Sequence, residues 1–455
     1  MSVWKAETHS VEPIPLSERH GKPADLFTLW FSANMQVTTI ALGAVYVFIG
    51  IPLVWAIIAI ILGNLIGAVF MAYHSAQGPI IGVPQMIQSR AQFGYFGALL
   101  PLVLVIIMYL GFFALSSVLG GQSLSSLVGA QASGSSVTVG VVLLGIITAL
   151  MAVFGYDLIH AYQRYVSLIF LVAFVAFTIA AAASGKVPGS VWSFSGFNLA
   201  DFVAGVTLAV TWQITYAPYV SDYSRYLPKD TGVNATFNTT FWGTVIASVW
   251  MMILGAVLTE INAKLSTPDV INSIAGGLGW LMMIIIILGI VAANVLNVYG
   301  GMLTTDTIFG SFSRGKPSPS RRITMIAVFA VVGIVVAILA EGNFYGSLEN
   351  YIVSLTYFAI PWTAINLTDF YLVRHGKYDP EAFLRPAGYG TFNWLAIVAF
   401  MIAIVVEIPF MYTGLFEGPI AKALGGADIS WIPGLIIAGG LYLWGARRYL
   451  PAAQS

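Results

Sequence analysis

Two stretches decide how this chain is read: Trp30-Phe31-Ser32-Ala33-Asn34-Met35-Gln36-Val37-Thr38-Thr39 and Thr211-Trp212-Gln213-Ile214-Thr215-Tyr216-Ala217-Pro218-Tyr219. Each lies in an apolar run of about 20 residues, the length a helix needs to cross the hydrocarbon layer of a bilayer. Each nevertheless carries hydroxyls and carboxamides, which cost free energy there unless they pair or line a cavity. Pro218 removes a backbone donor and disturbs the preceding turn. In the first stretch, Gly43 and the Ser/Asn/Gln/Thr cluster are expected to loosen the helix at a similar depth. Each stretch also opens a block of five apolar runs, at 27–184 and 201–373. Interrupted helices at matching positions of two halves point to a transporter built from inverted repeats. The halves share no residue-level identity, so layout alone carries this expectation.

The composition agrees. Of 455 residues, 58% are apolar and 8% charged, against about 25% charged in a soluble globular chain. Nineteen basic and nineteen acidic side chains cannot coat a globule of this size, so the chain reads as an all-α polytopic membrane protein rather than a soluble enzyme. Without cysteine there is no disulfide, thiolate nucleophile or cysteine-ligated metal. A net charge of zero gives no reason to invoke nucleic acid. Residues 1–26 are polar, with Pro13, Pro15 and Pro23, and read as a cytoplasmic tail rather than a signal peptide.

Apolar runs between polar or Gly/Pro punctuation give twelve expected spans. They lie at 27–50, 53–75, 97–119, 137–154, 163–184, 201–224, 236–260, 277–303, 323–341, 346–373, 392–413 and 430–449. The last two, within 392–455, stand outside the two five-span blocks. With the N-terminus inside, sixteen Lys and Arg residues fall on the cytoplasmic side and only Lys186, Lys264 and Lys422 outside. That bias places both termini in the cytoplasm. A cell-membrane protein embedded in lipid and acting as a monomer is expected.

Two further spans carry polar groups where packing does not need them. Span three has Tyr109-Leu110-Gly111-Phe112-Phe113, and span eight has Ala292-Ala293-Asn294-Val295-Leu296-Asn297-Val298-Tyr299. Asn34, Gln36, Gln213, Asn294 and Asn297 are neutral amides that donate and accept. Tyr109, Phe112, Trp212 and Tyr216 supply aromatic faces. No Lys or Arg lies nearby to bind a carboxylate or phosphate. A planar, uncharged heteroaromatic with amide-like edges fits this set, and a nucleobase is the natural candidate. Carboxamides read base edges through paired hydrogen bonds, and stacking a base on an aromatic ring contributes roughly 1–3 kcal/mol.

At these residues the chain resembles the purine-cytosine permease branch of the nucleobase–cation symporter family. The likeness runs through Trp30–Met35, Gly82–Arg90 with Phe93-Gly94, Gly155–Tyr165, Ser221–Pro228, Asn294–Tyr299 and Asp369–Arg374. It implies a LeuT-like fold of ten core helices in two inverted repeats plus two peripheral helices, and cation-coupled uptake of purines, cytosine or related bases. It further implies a substrate held between Phe112 and the region of Trp212, Gln213 and Tyr216, with Asn294 and Asn297 at its edge; the residues themselves add Ser32, Asn34, Gln36 and Tyr109 as candidate contacts. Sodium-coupled relatives carry two hydroxyl residues just before the first Asn of span eight, opposite carbonyls of span one. Here these positions are Ala292 and Ala293, opposite Ser32 and Met35. A hard cation wants several oxygen ligands, so proton coupling is expected over sodium. Glu407, Glu349, Asp201 and the substrate itself are candidates for the titrating group. Asp222 and Asp369 are read as an inner gate.

Other functions fit less well. No H-E-x-x-H, G-x-S-x-G or Walker motif marks an enzyme, and no cofactor or metal is called for. Sodium-coupled uptake of allantoin, a hydantoin, uracil or a pyrimidine vitamin precursor is the alternative, followed by a non-transporting nucleobase sensor.

Overall fold

The computed structural model describes residues 12–130, 134–154, 156–312 and 319–449, side chains excepted at 154–167 and 449. The side chains of Asp157, His160 and Arg164 therefore lie outside the described residues, as do Arg314 and Lys316. In chain order the first helices are α1 (Pro23–Asn34), α2 (Val37–Phe48), α3 (Leu53–Ser75), α4 (Gln77–Ile81), α5 (Gln85–Phe93) and α6 (Leu99–Leu127). Next come α7 (Ser135–Phe154), α8 (Tyr156–Ala183), α9 (Leu199–Ile214), α10 (Val220–Ser224), α11 (Val233–Ile261) and α12 (Thr267–Ala275). The chain ends with α13 (Gly279–Phe312), α14 (Pro319–Ala340), α15 (Phe344–Thr368), α16 (Trp394–Glu407), α17 (Pro419–Ala423) and α18 (Trp431–Tyr449). Among the described residues, strands occur only at β1 (Tyr412–Thr413) and β2 (Phe416–Glu417), which pair antiparallel. By length and apolarity, six of the described helical stretches can cross a membrane, or seven counting α1 and α2 as one bent span.

The first span breaks where its amides are, not at Gly43. α1 ends at Asn34 and α2 begins at Val37, bent by 57°. Gln36 is extended there, and its Nε2 donates to the Ala33 carbonyl at 3.0 Å. Side chains that bond nearby backbone compete with the helix in this way. Gly43 has a packing role instead: a Cβ there would overlap the Met252 carbonyl of α11. Gly255 of α11 meets the Ile40 carbonyl of α2 in the same manner, and Gly63 and Gly67 of α3 meet Val206 and Val210 of α9. Small residues let helices approach backbone to backbone where lipid offers no hydrophobic drive. The first, second, sixth and seventh expected spans are thus locked into one bundle.

The sixth span stops at Ile214 and resumes as a tight turn at Ala217–Tyr219 followed by α10. Thr215 Oγ1 bonds back to the Trp212 carbonyl at 2.7 Å, and Pro218 has no N–H to offer Ile214. The eleventh span is shorter than expected. Its α-helix ends at Glu407, a turn containing Pro409 follows, and β1 occupies the last two residues expected inside the span. At the other end of the chain, the polar tail docks onto the body: Ile14 N–H bonds Gly82 O at 3.0 Å and His20 N–H bonds Tyr226 O at 2.6 Å.

Candidate functional site

The two broken helices face each other. Gln36 Nε2, beside the first break, also donates to the Tyr216 hydroxyl beside the second at 3.3 Å. From Tyr216 an aromatic cluster extends across four helical stretches. Its ring lies 5.5 Å from Trp212 and 6.1 Å from Tyr219. Phe112 of α6 meets Trp212 edge-on at 5.8 Å and Tyr351 of α15 at 5.4 Å. Tyr109, one turn before Phe112, meets Tyr219 edge-on at 5.0 Å. Gln36, Phe112, Tyr216, Tyr219 and Tyr351 keep part of their surface accessible, whereas Trp212 is fully enclosed.

The amides divide into those already satisfied and one that is not. Asn297 Nδ2 donates to Asn294 Oδ1 at 3.4 Å, and Asn297 Oδ1 accepts from the Tyr219 hydroxyl at 3.2 Å. A carboxamide has two N–H donors and two acceptor lone pairs. Asn297 therefore retains one donor and one acceptor on the same planar group. Asn294 spends both its donors on span three, at Phe113 O (3.2 Å) and Ser117 Oγ (3.0 Å). It holds Asn297 in place rather than offering an edge of its own.

Asn34 and Gln213 depart from the expectation of substrate contact. Asn34 is fully buried and spent on all four positions. It donates to Trp30 O (2.9 Å) and Thr244 Oγ1 (3.0 Å) and accepts from Trp212 Nε1 (2.9 Å) and Ser248 Oγ (2.8 Å). Gln213, equally buried, donates to Asn64 Oδ1 at 2.7 Å and accepts from Thr244 Oγ1 at 2.6 Å. Asn34 ties α1 to α9 and α11, and Gln213 ties α9 to α3 and α11. Two residues that the sequence reading passed over join the cluster instead. Tyr219 was legible as the tyrosine one turn after Tyr216. Tyr351 stands near the start of its span beside Glu349 and Asn350, where polar residues read as a helix end rather than as a site.

At the expected cation position, Ser32 is half-buried and Met35 buried. The Met35 N–H bonds Ser32 O at 3.2 Å, and the Gln36 N–H bonds Asn34 O at 3.0 Å. With Ala33 O taken by the Gln36 side chain, the break satisfies several of its own carbonyls. Ala292 and Ala293 present only methyl groups.

Asp222 and Asp369, expected at an inner gate, bond the two ends of α5. Asp222 Oδ1 accepts the Gln85 N–H at 2.8 Å, a carboxylate at a helix N-terminus, where it is favoured. From Gln85 a head-to-tail chain of buried amides runs onward. Gln85 Nε2 donates to Gln77 Oε1 (2.9 Å), Gln77 Nε2 to Asn366 Oδ1 (2.6 Å) and Asn366 Nδ2 to Gln92 Oε1 (3.4 Å). Gln92 Nε2 then donates to Asp369 Oδ2 at 3.0 Å. Asp369 also pairs with Arg374 at 3.1 Å and accepts from Tyr378 and Tyr442, both at 2.8 Å. All nine residues of α5 are buried, and the amide chain that links its two ends runs through Gln77 of α4 and Asn366 of α15.

The family described as permeases for cytosine/purines, uracil, thiamine and allantoin matches residues 13–434. YxlA of Bacillus subtilis, itself provisionally named a purine-cytosine permease, is 45% identical over 446 residues, covering 96% of this chain and 95% of that protein. The purine-cytosine permease fcyB of Emericella nidulans is 26% identical over 465 residues, covering 96% and 87%. Among solved structures, the inward-facing conformation of Mhp1 superposes with a TM-score of 0.79 at 21% identity, covering 97% of this chain and 94% of that one. Mhp1, described as a nucleobase-cation-symport-1 family transporter, in a closed conformation with bromovinylhydantoin bound gives 0.77 at 20% identity, covering 97% and 95%. The fold is that of an all-α polytopic membrane transporter.

Proposed function

The chain belongs to the purine-cytosine permease branch of the nucleobase–cation symporter family, and from that premise we propose that it imports a purine, cytosine or both by alternating access, coupled to protons. The observation that carries the substrate reading is the unspent donor and acceptor of Asn297 beside partly accessible rings. Cytosine and adenine each present an amino donor next to a ring-nitrogen acceptor, the complement of a carboxamide edge. Phe112, Tyr216 and Tyr219 supply the faces. Asn294 and Tyr109 position Asn297 and Tyr219, Trp212 backs the rings, and Gln36 and Ser32 border the site at the first break. No charged side chain is offered to the substrate, which suits a neutral base.

Proton coupling is favoured over sodium because Ala292 and Ala293 bring no oxygen to a cation opposite Ser32 and Met35. Asp222, Asp369 and the amide chain between them form the cytoplasmic latch, broken when the site opens inward. The broken first and sixth spans, each opening a block, support twelve spans arranged as two inverted five-span repeats, 27–184 and 201–373, with two peripheral spans in 392–455. The bias of basic residues supports insertion in the cell membrane with both termini, including the tail 1–26, in the cytoplasm. Nothing in the site calls for a second copy, so the carrier works as a monomer.

The test is competition. Uptake of radiolabelled cytosine into proteoliposomes is measured against a panel of unlabelled bases, with and without sodium at constant pH and potential. Displacement by purines or cytosine without a sodium requirement is the expected result. Collapse of uptake on removing sodium contradicts the coupling, and indifference to every base contradicts the substrate.

A further inference from the structure

One buried acid is left unused by this account. Glu407 closes α16 at 0% exposure, and among the described residues neither of its carboxyl oxygens has a hydrogen-bond partner. It lies against α18, where a Cβ on Gly434 would overlap its Oε1. Asp428, at the turn into α18 and 3% exposed, is near enough for the two charges to repel. The two acids differ sharply in their partners. Asp428 Oδ1 accepts from the Ser430 N–H (2.9 Å) and hydroxyl (2.6 Å), and Oδ2 from the Tyr357 hydroxyl (2.7 Å) and the Tyr412 N–H (2.9 Å). Tyr357, on α15, is the third titratable group within reach of Glu407. Among the described residues no Lys, Arg or His pairs with either acid.

Four donors stabilise an ionised Asp428. An ionised Glu407 would have no donor, no cation and a second negative charge beside it, so nothing would offset its desolvation. Two such carboxyls hold one proton between them, and the one without donors carries it. We propose that Glu407 and Asp428 form a proton-binding site in which Glu407 carries the proton that travels with the substrate. The proposal rests on the proton-coupled reading above and names its site.

The pair is wired to the substrate cluster. Tyr357 sits on the same helix as Tyr351, which packs on Phe112, six positions or about 9 Å along the axis. The Asp428 carbonyl accepts from Thr207 of α9 at 2.7 Å, and α9 carries Trp212. Loss of the proton places a second charge beside the Tyr357–Asp428 bond, straining the joint between α15 and the β1–β2 region. Arrival of the proton restores it.

The test uses the full chain in proteoliposomes with radiolabelled cytosine. An inward proton gradient of about one pH unit supports up to about tenfold accumulation at one proton per substrate, since each 1.4 kcal/mol is tenfold. Glu407→Gln copies the shape of the protonated acid. It is expected to lose accumulation while keeping substrate counterflow at the wild-type rate. Accumulation by E407Q equal to wild type overturns the site, as does loss of counterflow in a folded E407Q protein. Should E407Q not fold, infrared difference spectra of the wild-type protein must show a protonated-carboxyl band that responds to substrate and shifts in Asp428→Asn. Absence of such a band also overturns the site. A wild-type protein driven by sodium and indifferent to the proton gradient overturns the coupling reading itself, a result distinct from failure of E407Q alone.

Discussion

Replacing Asn297 by Ala removes the donor and acceptor that the site leaves open while disturbing only its bonds to Asn294 and Tyr219. A lost bidentate contact costs about 1–3 kcal/mol, so uptake is expected to fall by roughly five- to a hundredfold, with protein abundance unchanged. Normal transport by N297A would remove the residue from the site. Tyr219→Phe keeps the ring and releases Asn297 Oδ1, and should weaken apparent affinity more than maximal rate. Asn34→Ala behaves differently, because it strands Trp212 Nε1, Thr244 and Ser248. Interhelical hydrogen bonds in membranes contribute about 0.6 kcal/mol on average and up to about 1.7. A lowered thermal midpoint in detergent is therefore the expected signature of N34A. The sequence makes Asn34 and Gln36 look equivalent, two positions apart within one polar cluster. What separates them is Thr244 and Ser248, more than 200 positions away, and no local pattern reveals that α11 will meet Asn34 and leave Gln36 facing Tyr216.

At the scale of elements, the breaks were legible and their mechanics less so. Pro218 announces the second break through its missing donor. For the first, the polar cluster and Gly43 both suggest loosening; the break falls in the cluster, and Gly43 is where α2 touches the α11 backbone. Overpacking typically costs about 1–3 kcal/mol, so Gly43→Ala should lower thermal stability, read by unfolding of the purified protein, rather than merely altering flexibility. The short helix α5 was hidden because its polar residues, Gln85, Gln88, Ser89, Arg90 and Gln92, read as a loop between spans. They are buried because the ends of the sixth and tenth spans enclose them. Gln77→Leu interrupts the amide chain between Asp222 and Asp369. The native chain has no cysteine, so a Ser32→Cys background reports a single site. Thiol labelling of S32C from the cytoplasmic side should accelerate when Q77L is added. An unchanged rate speaks against the chain acting as a latch.

At the scale of the whole molecule, membrane residence and helix content followed directly from apolar runs and sparse charge, and the family match covers most of the chain. Which base is carried depends on angstrom-scale placement of Asn297 against the rings, and that is a property of packing. The proposed proton site at Glu407 and the proposed latch at α5 are both tied to α15, through Tyr357 and Asn366. Coupling in this account is a matter of how one helix is held at two places. All of it presumes that a neutral base rests on Asn297 among the rings. The direct measurement is saturable binding of radiolabelled cytosine or a purine to the purified protein, wild type against N297A, in detergent and without any gradient. The account predicts saturable binding to wild type, displaced by other bases, and a rise in Kd of roughly five- to a hundredfold in N297A. Equal affinity in the two proteins, or no saturable binding of any base to the wild type, contradicts it.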